Sequence, residues 1–145
     1  MKIAIIGAGP AGATAALLLA RQRRHEVTLL DRDAFPRVKT CGSALSPRCL
    51  GLFKDIGLAE RLGSLAYAVS GCRFVAPSGQ EAMIKGPAGA WIIPRATFDA
   101  EIAFQAEREG ARFVQGFKAT RLLRDGDGQV CGVSDGKQEV EADLV

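Results

Sequence analysis

The first hydrophobic run of this chain, Ile3 to Ala20, is eighteen residues long and overwhelmingly apolar. Glycine and proline divide it. Lys2 to Ile6 is rich in β-branched residues and reads as a buried parallel strand. Ala11 to Arg23 consists of strong helix formers and closes on basic residues, which suit the negative end of the helix dipole. Glu26 to Asp31, "EVTLLD", is a second strand. Further along, Ser46 is placed to cap a helix with Pro47 at its first position. The stretch "GCRFVAPSGQEAMIKGPAGAWII" reads as short antiparallel strands around Ser78-Gly79. Ala96 to Glu109 is an amphipathic helix with Phe98, Ile102 and Ala106 on one face, stopped by Gly110. Two strands follow around a turn at Asp125-Gly126-Asp127-Gly128, Asp135-Gly136 marks another hairpin, and "VEADLV" is the last strand. The pattern is α/β: a parallel sheet begun by a βαβ unit, with an antiparallel strand excursion over about residues 66–93.

A run of that length also passes the crude test for a membrane span, and a Lys before small apolar residues imitates a signal peptide. Gly7, Gly9, Pro10 and Gly12 in its middle argue against both, because a continuous helix loses about 1 kcal/mol per Gly and about 3 kcal/mol for Pro. The chain has 145 residues, one domain's worth, and its net charge of +3 comes without a basic cluster interleaved with aromatics, so nucleic acid is not an expected partner. Cys41, Cys49, Cys72 and Cys131 have no Cys-x-x-Cys spacing, and the single histidine, His25, has no ligand-like neighbours. Neither a zinc site nor a disulfide framework is expected, and a cytoplasmic location is the default.

The candidate chemistry lies in the turn Gly7-Ala8-Gly9-Pro10-Ala11-Gly12, a G-x-G-x-x-G that follows a strand and opens a helix. Gly7 permits the tight turn, Gly9 lets a pyrophosphate approach the backbone, and Gly12 lets the helix pack closely. The helix N-terminus faces the phosphates. Asp31 closes the second strand nineteen residues beyond Gly12, where a carboxylate hydrogen-bonds a ribose diol. A glycine turn that only joins two strands is the competing reading. Asp31 favours a dinucleotide site.

The segment after Asp31, "DRDAFPRVKTCGSALSPRCLGLFKDIGL", resembles the FAD-dependent geranylgeranyl reductase family within the p-hydroxybenzoate hydroxylase-like flavoproteins. The likeness rests on Arg32 after the acidic residue, on a Phe-Pro-Arg segment and on Pro36-x-x-x-x-Cys41-Gly42. It continues through Pro47-Arg48 and "IPRATFDAEIAFQAEREGARFVQGFKATRLLRDGDGQVCGV". It implies FAD as cofactor, Arg32 beside the adenosine, Arg95 reaching the cofactor from before its helix, and the backbone of Ala119 at the adenine edge. Cys41 and Gly42 match a motif that lines the flavin ring. No catalytic residue is assigned; Cys41 is the one candidate, and no base near it in sequence would activate its thiol.

The resemblance further implies an oxidoreductase passing a hydride from reduced flavin to an isoprenoid double bond, with NAD(P)H as a candidate donor. The substrate would be a small molecule or an isoprenoid lipid. A flavin-dependent monooxygenase or halogenase is the rival within flavoenzymes, and a non-catalytic nucleotide-binding module the rival outside them. In that family further flavin motifs and a substrate domain follow the strand matched by "VEADLV". The chain is therefore expected to be the N-terminal portion of a longer flavoprotein. By itself it would be inactive, bind FAD weakly and self-associate, and any peripheral membrane contact would lie in the missing part.

Overall fold

A computed structural model describes residues 1–145, with the side chains at 87 and 88 excepted. In chain order its elements are β1 (Lys2–Ile6), α1 (Pro10–Arg21), β2 (Glu26–Asp31), β3 (Ala44–Leu45), α2 (Pro47–Asp55), α3 (Ala59–Gly63), β4 (Tyr67–Val75) and β5 (Glu81–Ile92). They continue with α4 (Arg95–Arg108), β6 (Arg112–Gln115), β7 (Arg121–Arg124), β8 (Val130–Ser134) and β9 (Glu139–Glu141). These make two compact units, one of Met1–Lys39 with Arg95–Val145, the other of Thr40–Pro94.

The first unit is built on a parallel sheet in the order β1-β2-β6, with Ile3 beside Val27 and Leu29 beside Phe113. Leu144 lies parallel to Ile3 on the other edge of β1, and its carbonyl accepts the N–H of Ala4 at 2.9 Å. β1 is thus an interior strand, which explains the apolar run from Ile3 to Ile6 after Lys2. The helices α1 and α4 pack together through alanines: Ala13, Ala16, Ala103 and Ala106 are all fully buried. Side chains that small let helix backbones approach closely. Phe98, Ile102 and Ala106 are buried on α4 as the periodicity predicts.

Three expectations need adjustment in this unit. α1 ends at Arg21 rather than Arg23, because Arg23 takes a left-handed conformation (φ +52°) that no helix continues through. α4 begins at Arg95 and ends at Arg108, and Gly110 (φ +109°) stops it as read. "VEADLV" is not one strand. β9 pairs with β8 in the antiparallel sheet β7-β8-β9, and the chain then turns at Ala142-Asp143 and enters the parallel sheet at Leu144. The turn is held by Ala142 N–H to the Cys131 carbonyl (3.0 Å) and by the Asp143 carboxylate accepting the Lys2 N–H (2.7 Å). Ala4, Leu30, Phe117, Val133 and Ala142 form a small core that carries residues of both sheets.

The second unit pairs α2 and α3 with an antiparallel sheet in the order β3-β5-β4. Its core is Phe53, Ile56, Leu58, Leu62 and Ile93, and the Trp91 ring lies on the backbone of Gly63. β4 and β5 have nine and twelve residues, longer than the short strands expected, and turn at Gly79 (φ +81°). Ser46 does sit at the N-cap of α2, but its hydroxyl meets the Cys49 thiol at 3.5 Å instead of capping the helix. No helix among the described residues is long and apolar enough to cross a membrane.

Candidate functional site

Gly7 carries a φ of +101°, a conformation costly for any side chain, and so turns the chain sharply at the end of β1. Its N–H donates to the Leu30 carbonyl at 2.7 Å, tying the turn to β2. Gly9 is the N-cap of α1 in extended conformation, with Pro10 at N1. Proline loses nothing there, since that position has no intrahelical acceptor for an N–H. A Cβ at Gly12 would lie 2.0 Å from the Gly7 carbonyl oxygen and 3.2 Å from the Ile5 side chain. Only glycine lets helix and turn approach this closely. Ala8 is fully buried and its amide serves Asp31; Ala11 is exposed on the first helical turn.

Asp31 is 8% exposed, and both of its oxygens accept backbone N–H groups. Oδ2 takes Ala8 at 2.7 Å and Oδ1 takes Asp33 at 3.0 Å. Each oxygen keeps a further lone pair for a second donor. A cleft of about 390 Å³ opens beside it, within the range of small-ligand sites. Gly7, Asp31, Arg32 and Ala119, drawn from three separate stretches of the sequence, all line it. Arg32 is two-thirds exposed and lies 3.7 Å from Asp33. Phe117 N–H donates to the Asp31 carbonyl at 2.9 Å, which brings Ala119 to the cleft wall.

Arg95 is the first residue of α4, where the dipole disfavours a cation. One turn on, Asp99 compensates: Arg95 Nε and Nη2 donate to its two oxygens at 2.6 and 2.8 Å. A Cβ at Gly9 would lie 4.0 Å from Arg95 Nη2 and 3.9 Å from Arg37 Nη2. Two guanidinium groups thus face the turn at Gly9. Arg37 and Asp99 were not singled out by sequence reasoning. The signals were present, in the Arg of the Phe-Pro-Arg segment and in the i,i+4 spacing of Arg95 and Asp99.

Cys41 and Gly42 belong to the Thr40–Pro94 unit. Cys41 is exposed, with its sulfur 3.4 Å from the donating N–H of Ser43, and the space beside Gly42 is open. Cys72 is exposed, and Cys49 and Cys131 are half-buried.

These residues fit the adenosine diphosphate half of FAD. A side chain at Gly9 would project toward the two guanidinium groups, into space that glycine leaves open, and the first-turn N–H groups of α1 have no helical acceptors. Arg37 is 10% exposed, and its Nε and Nη1 are buried with no hydrogen-bond partner.

The sequence profile described as FAD binding domain matches residues 1–145. The menaquinone reductase of Mycolicibacterium smegmatis is 32% identical over 136 residues, spanning 90% of this chain and 32% of that protein. The digeranylgeranylglycerophospholipid reductase 1 of Methanothermobacter thermautotrophicus is 28% identical, spanning 100% of this chain and 38% of that protein. Among solved structures, the myxobacterial chondrochloren halogenase CndH, an FAD-dependent halogenase, superposes with a TM-score of 0.79 at 26% identity. The match covers 97% of this chain and 35% of that one. The chain spans about a third of the length of the curated relatives it matches.

Proposed function

The chain belongs to the FAD binding domain family, and on that premise we propose that it binds FAD for a reductase acting on isoprenoid double bonds. The observation that carries FAD binding is the convergence of the Gly7–Gly12 turn, the Asp31 carboxylate and two guanidinium groups within one unit. In this reading Asp31 takes the ribose hydroxyls, the α1 N-terminus and the two arginines take the phosphates, and the Ala119 backbone borders the adenine. When bound, FAD supplies two-electron redox chemistry, and the chain's residues hold and orient it.

The reductase reading is supported by the curated relatives, whose names specify reduction of menaquinone and of digeranylgeranylglycerophospholipid. Both are isoprenoid compounds. Pro36, Cys41 and Gly42 add a second support, with Cys41 and Gly42 serving the flavin-ring side. NAD(P)H would be the reductant, and a lipid substrate would bring the protein to a membrane surface as a peripheral contact. The likeness to the halogenase supports a second reading, in which reduced flavin activates oxygen.

The test is to reduce the flavin-loaded protein without oxygen and offer a geranylgeranyl lipid. Saturation of a double bond, read as two added hydrogens by mass spectrometry, supports the reductase. Absence of that product, with substrate oxidation once oxygen is admitted, overturns it in favour of the second reading.

A further inference from the structure

The fully buried side chains include one carboxylate, Asp99, at 0% exposure on α4. A carboxylate buried so deeply is tolerated only when paired. Asp99 is paired twice: it accepts a bidentate fork from Arg95, and its Oδ2 lies 3.2 Å from Arg37 Nη2. The same Arg37 Nη2 lies 3.9 Å from Asp31 Oδ2, and Arg37 Nε lies 3.8 Å from Asp33 Oδ2. The Phe35 ring sits under the Arg37 guanidinium, 4.8 Å from its centroid. Among the described residues Arg37 thus meets the carboxylates of Asp31, Asp33 and Asp99, and Arg95 shares the last.

Two features show that this arrangement serves more than its own neutrality. Arg37 keeps Nε and Nη1 buried without an acceptor, which costs stability that a purely structural ion pair would recover. Its Nη2 and that of Arg95 both approach the Cβ position of Gly9, at the N-terminus of α1. Without Asp99 the two cations would repel each other and turn toward water. We propose that Asp99 is a positioning residue that holds Arg37 and Arg95 together over Gly9, so that they meet the diphosphate of the ligand as a preformed pair. The proposal rests on the dinucleotide reading of the glycine turn and adds the residue that makes the site selective for phosphate.

The experiment measures binding, independent of catalysis. Wild type, Asp99→Asn and Arg37→Met are titrated with FAD, ADP and adenosine by calorimetry, and each is melted by circular dichroism. Both variants should lose about 10- to 100-fold in affinity for ADP and FAD, the worth of a charge-assisted hydrogen bond, while adenosine binding is unchanged. Equal losses for ADP and adenosine, or ADP affinity equal to wild type, would overturn the proposal. If Asp99→Asn does not fold, Arg37→Met decides alone, since it leaves Asp99 paired with Arg95. Wild type that binds neither FAD nor ADP would instead overturn the dinucleotide reading itself.

Discussion

Asp31 Oδ2 accepts the N–H of Ala8 at 2.7 Å, so the end of β2 and the glycine turn form one hydrogen-bonded object. Under the proposed function the carboxylate has two tasks, fixing the turn and meeting a ribose. Asp31→Ala removes both. Its affinity for FAD should fall by about 10- to 150-fold, from the loss of a charge-assisted hydrogen bond worth about 1.5–3 kcal/mol. Flavin fluorescence titration reads the change, and an unaltered dissociation constant removes the ribose assignment.

Gly12→Ala tests the approach of α1 to the turn. Its methyl group would be driven onto the Gly7 carbonyl oxygen, 2.0 Å away, and backbone cannot yield as a flexible side chain would. We expect a loss of at least about 2 kcal/mol of stability together with loss of flavin. Gly51 on α2 is the matched control, because nothing lies within 4 Å of its Cβ position. There alanine should stabilise the helix by about 0.5–1 kcal/mol. Denaturant melts of the two variants should move in opposite directions.

Glu109 offers a pH test of the contact between Arg21 and the end of α4. The Arg21 guanidinium, 3.1 Å away, holds the Glu109 carboxyl below its ordinary value. A depressed folded pKa contributes stability above the unfolded value, about 4.3, and that contribution is lost as pH falls through the folded value. Glu109→Gln should therefore melt below wild type at pH 7 and by a smaller margin near pH 3. A gap of equal size at both pH values would show that the ion pair is not its source.

Cys41 is exposed and its thiol accepts the Ser43 amide. If it lines the flavin-ring side, Cys41→Ala should keep flavin affinity but shift the visible flavin spectrum. Complete loss of FAD would assign the residue to holding the site together instead.

What was legible in the sequence was what neighbours in sequence decide. Gly7, Gly9 and Gly12 had to be glycines for a turn and helix that meet within six residues, and Asp31 had only to end the next strand. The buried face of α4 followed from its period. Arg37 and Asp99 were hidden because they are partners across 62 residues, and charged side chains in loops and helices are ordinarily solvated. "VEADLV" looked like one strand because alternation does not report which sheet a residue joins; the hydrogen bonds from Asp143 and Leu144 to β1 decide that. The hairpin of β4 and β5 was underestimated in length because much of it is exposed on both faces, Phe74, Val75, Met83 and Ile84 included.

The central claim is that this chain recognises the adenosine diphosphate half of FAD. Titration of the flavin-free protein with FAD and with FMN, each with and without excess ADP, tests it most directly, because FMN has the flavin ring but no adenosine. The account predicts saturable binding of FAD that ADP displaces, and much weaker binding of FMN that ADP leaves unchanged. FMN binding as tightly as FAD, or FAD binding that ADP does not displace, would contradict it.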